Sequence, residues 1–299
     1  MFEVNVPYTT ANLGPGFDCI GLALSAEARI SVEWQEAGVT FHGCAKKYKN
    51  DNHLLLRAYR LGMETIGLPL RGLILDFLSM PPIARGLGSS AVCIVAGLMI
   101  AKEAAKEAGK EMDMEMMVGL ATKMEGHPDN VAPALMGGCI LSLMAEAQIV
   151  LQPIAVHESI GLMALIPPFE LSTKISRGAI PEQVQHKQAV YNVGRGMLLT
   201  QALASGEMDK LAMALEDRLH EPYRFPLIKG AEEIREKMDE LGAVRTVISG
   251  AGPTLLVVFE KNTGFEEKAE KWMQQAYEPW DVFPWTVQQH GAWVKNERK

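Results

Sequence analysis

The sequence predicts an α+β protein built as two domains, and three observations carry that reading. Up to about residue 166, strand-like and helix-like runs mix without the regular βαβα alternation of a doubly wound parallel sheet. After Pro167-Pro168 breaks the chain, helical runs precede two apolar strands joined by a glycine turn, an order that suits helices packed on an antiparallel sheet. The chain is 299 residues long and 48% hydrophobic, which is enough for a substantial core and allows two. The expected division is 1–166 and 167–299.

Taken in order, residues 2–6 and 28–34 alternate in the manner of strands, with a glycine-rich turn between them. Asp51 to Gly62 reads as a helix start followed by apolar periodicity, and Leu73 to Leu78 as a strand. Ser90 to Ala108 is an alanine-rich helix with Gly109 suited to its C-terminal end. Met112 to Glu125 is a second helix, and Cys139 to Met144 and Gly161 to Ile166 are strands. Beyond the Pro-Pro break, helices are expected over 186–204, 207–220 and 229–241. Val244 to Ser249 and Thr254 to Phe259 are strands, followed by a helix over 265–276 and a strand-like tail to Val294.

Composition narrows the partners. The net charge of −7 speaks against a nucleic-acid role, which calls for a basic face. The apolar stretches are too short or too interrupted to span a bilayer, so no membrane role is expected. Met1 to Pro7 shows no basic region followed by an apolar core, so no signal peptide is expected. Cys19, Cys44, Cys93 and Cys139 form no Cys-x-x-Cys pair and read as reduced thiols of a cytoplasmic protein.

The segment Pro81-Pro82-Ile83-Ala84-Arg85-Gly86-Leu87-Gly88-Ser89-Ser90-Ala91 lies between a predicted strand and a predicted helix. Glycines there allow close backbone approach, and the amides of a helix start favour an anion. The segment is neither a Walker A loop nor a Gly-x-Gly-x-x-Gly fingerprint. Two further glycine-rich segments accompany it: Ala11-Asn12-Leu13-Gly14-Pro15-Gly16-Phe17-Asp18 and Ile248-Ser249-Gly250-Ala251-Gly252-Pro253-Thr254.

These three segments, in this order, resemble the motifs of the GHMP kinases, and Pro7 to Gly21 is similar to the homoserine kinases within that family. The resemblance covers most of the chain. It implies an N-terminal domain like ribosomal protein S5 domain 2, a C-terminal ferredoxin-like domain, and an active site in the cleft between them. It further implies ATP-dependent phosphorylation of the side-chain hydroxyl of L-homoserine, in threonine biosynthesis in the cytoplasm, with Mg²⁺. Whether the enzyme is a homodimer stays open.

Residue by residue, the resemblance puts the ATP phosphates on 81–91, with Gly250 and Gly252 close by and Asn52 near the base. Arg85 either adds a charge-assisted contact or is a solvated loop arginine. Mg²⁺, which favours one or two carboxylates among oxygen ligands, falls to Glu125 and the Ser90 hydroxyl, with Ser89 the alternative, either serine being also suited to cap the helix. Asn12 and Asp18 face the acceptor. Asp129 holds the substrate ammonium, and Asn130 beside it joins Asp18 and Asp129 as a candidate catalytic residue. The identity of a base, or whether the phosphate itself takes the proton, stays open. Leu171 to Arg177 and Glu221 to Arg224 resemble the family's carboxylate-binding segments, which makes Thr173, Arg177 and Arg224 the carboxylate ligands. A catalytically silent sensor of the same fold is disfavoured, because loop, Glu125 and both arginines are present together.

Overall fold

The computed structural model describes residues 1–146, 148–277 and 279–296. The chain opens with two long antiparallel strands, β1 (Phe2–Asn12) and β2 (Gly16–Gln35), and continues through β3 (Val39–His42), α1 (Leu54–Thr65) and β4 (Gly72–Ser79). Three helices follow, α2 (Ser89–Glu107), α3 (Met114–Glu125) and α4 (Val131–Met136), then β5 (Cys139–Met144), β6 (Ile149–Ile154) and β7 (Ile160–Ile166). The remainder is α5 (Thr173–Gly178), α6 (His186–Ser205), α7 (Met208–Ala214), α8 (Glu221–Arg224), α9 (Ala231–Leu241), β8 (Arg245–Ile248), β9 (Leu255–Glu260), α10 (Phe265–Ala276), β10 (Asp281–Trp285) and β11 (Trp293–Asn296).

Two sheets result. The first runs β11-β1-β2-β4-β3, with β5 paired to β2 and β6 to β5; only β3 and β4 are parallel. The second is antiparallel in the order β10-β7-β9-β8. With α9 before β8 and α10 between β9 and β10, it has the βαββαβ plan of a ferredoxin-like domain.

The sheets do not divide the chain at 166/167, as the sequence suggests. Strand β7 belongs to the second sheet, and β11 returns to pair with β1 in the first. The double proline directly follows β7.

Packing explains the composition of the elements. Nearly every face of α2 is buried, from Val92 and Ile94 to Leu98 and Ile100, because it lies between the first sheet and its neighbours α1 and α3. The side chains of β7 alternate between two cores. Ile160, Leu162, Ala164 and Ile166 join the large core, whereas Met163 and Leu165 meet Ile234, Met238, Ala269 and Met273 of α9 and α10. A strand covered on both faces reads as an unbroken apolar run.

Several boundaries differ from the sequence reading for local reasons. The second predicted helix starts at Met114, because the Asp113 carboxylate accepts from Met116 N. The helix expected over 207–220 stops at Ala214. Its remainder becomes a loop in which Asp217 accepts from the amides of Leu219, His220 and Glu221 and so starts α8. Strand β6 carries Pro153 at the sheet edge, where a missing amide hydrogen is tolerated.

Candidate active site

The three glycine-rich segments meet. Asn12 ends β1 and Asp18 lies at the start of β2, so the first turn brings both into one hairpin tip. The Asn12 amide donates to Gly250 O at 2.6 Å and its oxygen accepts from Asp18 N at 3.0 Å. Gly250 N donates to Ala11 O at 3.0 Å, and Ser249 Oγ reaches both Thr10 Oγ1 at 2.8 Å and Gly86 O at 2.7 Å. The β8–β9 turn thus ties the first turn to the 81–91 loop.

Gly88 precedes α2 with φ 67° and offers no side-chain cap. A Cβ there would collide with Thr9 Oγ1, which donates to Asn130 Oδ1 at 2.8 Å. The glycine is therefore required by the backbone and by Thr9. It leaves the amides at the start of α2 without a side-chain competitor, at the positive end of a 19-residue helix.

Two cavities adjoin at that helix start and share Ser89 and Ser90. The larger, about 780 Å³, is lined by Pro81, Pro82 and Ile83, by Asn52, and by Tyr48, His53, Phe77 and Met80. The smaller, about 90 Å³, is lined by Asn12, Asp18, Glu125, His127, Asp129, Asn130, Thr173, Arg177 and Arg224, with Ala84, Gly86, Gly88 and Gly250. One is mostly apolar with an aromatic wall; the other is charged. Leu87 and Ala91 are buried under the loop, Gly252 lines neither cavity, and the Arg85 guanidinium turns to the carbonyls of Pro167 (3.0 Å) and Pro168 (2.9 Å).

Apart from Arg224, the charged groups of the cavity are paired with side chains that line it. Arg177 forks Asp18, with Nη1 to Oδ2 at 2.9 Å and Nη2 to Oδ1 at 2.7 Å. Asp129 is 2% exposed and is hydrogen-bonded by His127 Nδ1 and, at 3.3 Å, by Asn130 Nδ2. Arg224 is 1% exposed and donates only to Gly250 O, Ser176 O and the His220 ring; among the described residues no carboxylate reaches it within salt-bridge distance. A buried cation without an anion is costly, and its natural complement is an anion brought from outside.

Titration follows these contacts. Burial pushes Glu125 up, opposed by the hydrogen bond from Ser90. Burial pushes Asp18 up as well, but the fork from Arg177 outweighs it and holds the carboxyl below its ordinary value. For His127, burial acts downward and the hydrogen bond and charge of Asp129 prevail, raising it. Arg224 falls to about 10 through burial and the nearby Arg177, and stays a cation at neutral pH.

Ser90 Oγ donates to Glu125 Oε2 at 2.6 Å, a hard-oxygen pair at the seam of the two cavities that fits a Mg²⁺ ion. Asp18, His127 and Asp129 also cluster within 4.8 Å, but Arg177 already takes both oxygens of Asp18, so this trio suits a cation less well.

The aromatic wall and His220 escape sequence reading. Tyr48 follows no motif, and His53 is visible only as the cap of α1, accepting from Leu55 N at 3.2 Å.

Known proteins are similar to this chain in sequence and in fold. The GHMP kinases N terminal domain matches residues 53–138 and the GHMP kinases C terminal family matches 199–278. The chain is 37% identical to a homoserine kinase of Clostridium botulinum over 299 residues, covering all of both chains. The crystal structure of homoserine kinase from Cytophaga hutchinsonii superposes with TM-score 0.85 at 25% identity, covering 98% of this chain and 96% of that one. The mevalonate kinase of L. major, solved with R-mevalonate, shares the fold with TM-score 0.72 at 17% identity, over 96% of each chain.

Proposed function

The chain belongs to the GHMP kinase family, among the homoserine kinases, and from that premise we propose that it transfers the γ-phosphoryl group of ATP to the side-chain hydroxyl of L-homoserine, giving O-phospho-L-homoserine and ADP. The observation that carries the substrate is the charged cavity. It sets buried Arg224 and half-buried Arg177 against Asp129 and Asp18, which complements a small zwitterion, and it opens onto the start of α2. A sugar or a mevalonate-like acid offers no ammonium for Asp129.

In this reading the nucleotide lies in the larger cavity, near Asn52, with its phosphates against the loop 81–91. The amides at Ser89 and Ser90 receive the phosphate oxygens, and Ser90 and Glu125 hold Mg²⁺. The metal, when bound, neutralises charge on the phosphate oxygens. Asp129, fixed by His127 and Asn130, receives the ammonium. Arg224, Arg177 and Thr173 receive the carboxylate, and Asn12 orients the hydroxyl end. Because Arg177 is already forked to Asp18, substrate entry exchanges one carboxylate for another. Asp18 is thereby freed to turn to the acceptor hydroxyl.

Phosphoryl transfer through a loose transition state asks for positioning and charge stabilisation more than for covalent help. The hydroxyl oxygen bonds to the γ-phosphorus, the bond to the β–γ bridging oxygen breaks, and the proton leaves with the new phosphoester or on Asp18. The reading implies a cytoplasmic biosynthetic step. No helix among the described residues is long and apolar enough to cross a membrane.

Arg177→Ala and Arg224→Ala test the substrate. A charge-assisted hydrogen bond is worth about 1.5–3 kcal/mol, so each change should raise KM for homoserine roughly ten- to a hundredfold if KM tracks binding, with KM for ATP much less affected. 3-Amino-1-propanol, which lacks the carboxylate, should lose little. Equal losses for both acceptors would show that these arginines do not read a carboxylate.

A further inference from the structure

His220 lines neither cavity, yet its ring joins two parts of the charged one. It is fully buried. Its Nε2 lies 2.8 Å from Gly14 O, at the tip of the acceptor turn, and its Nδ1 lies 3.3 Å from Arg224 Nη1. The two partners select the tautomer. A carbonyl only accepts, so Nε2 carries the hydrogen; a guanidinium only donates, so Nδ1 presents its lone pair. The ring also stacks on Phe17 of the acceptor turn, centroids 5.0 Å apart, and Phe17 in turn faces the Arg224 and Arg177 guanidiniums at 5.2 and 5.8 Å.

The connection is the one side-chain contact in the Arg224 hydrogen-bond set, since the other two partners are the backbone carbonyls of Gly250 and Ser176. Arg224 stands on α8 and the Gly14 turn stands between β1 and β2, so nothing in local sequence holds the two in register. Asp217 reinforces the assembly by accepting from the His220 amide at 2.8 Å, and Asn192 of α6 donates to the same carboxylate at 2.6 Å.

We propose that His220 is a positioning residue: as the neutral Nε2–H tautomer it ties the Ala11–Asp18 turn to Arg224 and thereby sets where the guanidinium meets the substrate carboxylate. This rests on the homoserine kinase reading of the site. Protonation at Nδ1 would replace the hydrogen bond by two opposed cations. The charged groups facing the ring are Arg224 itself, Asp217 with Oδ2 at 3.8 Å from Nε2, and Asp18. Burial and Arg224 lower the imidazole against the pull of Asp217, so the neutral form prevails at pH 7 and yields in acid.

Steady-state kinetics of the full-length chain test this with two variants. His220→Leu removes donor and acceptor while keeping an apolar side chain. It should raise KM for homoserine about tenfold or more, the size of one hydrogen bond to a charged group, with KM for ATP within about twofold. His220→Gln keeps a donor and an acceptor and should bring KM for homoserine back to within about threefold of the parent. In the parent, KM for homoserine should climb only in acid below the ordinary imidazole value of 6.5, and His220→Gln should flatten that rise. A His220→Leu variant with unchanged homoserine KM, or with both KM values raised in step, would overturn the proposal. If that variant does not fold, an acid rise as steep in His220→Gln as in the parent would do the same. Parent turnover with homoserine in the same assay separates failure of this proposal from failure of the functional reading.

Discussion

Replacing Gly88 by alanine perturbs the start of α2 by one methyl group, and its cost can be worked from two contacts. The residue has φ 67°, where a side chain costs about 1–2 kcal/mol. The new Cβ would fall on Thr9 Oγ1 and close to Asn130 Oδ1 at 3.4 Å, so Thr9 must turn away and lose its 2.8 Å bond to Asn130. That loss adds about 1 kcal/mol. The sum, about 2–3 kcal/mol, should lower Tm by roughly 3–5 °C in a chain of 299 residues. The strain sits at the amides of Ser89 and Ser90, so KM for ATP should rise with it. Thermal unfolding and ATP kinetics on Gly88→Ala, Thr9→Ala and the double variant resolve the cause. Truncating Thr9 removes the atom in the way, so the double variant should be more stable than the sum of the singles by about 1 kcal/mol. Gly88→Ala with unchanged Tm and unchanged KM for ATP, or strict additivity in the double variant, would refute the reasoning.

Two further outcomes follow from Glu125 and Glu221. Glu125→Gln should lower kcat on the order of a hundredfold with KM for homoserine little changed, since the lost charge serves the transition state; near-normal kcat at saturating Mg²⁺ would remove Glu125 from the metal site. Burial raises Glu221 to about 8 from 4.5, while its Oε1 accepts from Ile248 N at 2.7 Å. Between those values the unfolded chain releases a proton that the folded chain keeps, so this group's stabilisation, full below about 4.5, is lost as pH rises through 8. Glu221→Gln keeps the acceptor oxygen and should remove that component, so its Tm should gain on the parent between pH 5 and pH 8; parallel Tm–pH curves would contradict the shift.

Much of the fold was legible because its elements obey local rules. The helix over 265–276 and the strand over 139–144 are as the sequence predicts, each being a run of one period bounded by clear breaks. How the strands divide between the two sheets was not legible, because pairing of β7 with β9 and of β11 with β1 joins residues far apart in sequence. The motif segments do converge, and Asn12, Asp18, Asp129, Arg177 and Arg224 line one cavity. What the motifs could not convey is how those residues are paired. The Asp18–Arg177 fork, the turning of Arg85 to the Pro167 and Pro168 carbonyls, and the His220 link depend on side-chain directions set by tertiary packing. The aromatic wall of the larger cavity was equally hidden, because Tyr48, His53 and Phe77 come from three separate elements with no shared spacing.

The central claim is that the charged cavity selects an amino-acid alcohol for phosphorylation. Its most direct test is coupled ADP release from Mg·ATP with L-homoserine, L-serine, mevalonate and galactose in parallel, with the product identified by ³¹P NMR. The account requires L-homoserine to be turned over best and to yield a phosphomonoester on its side-chain oxygen, with mevalonate and galactose at background. Turnover of mevalonate or galactose in the absence of turnover of homoserine would contradict it.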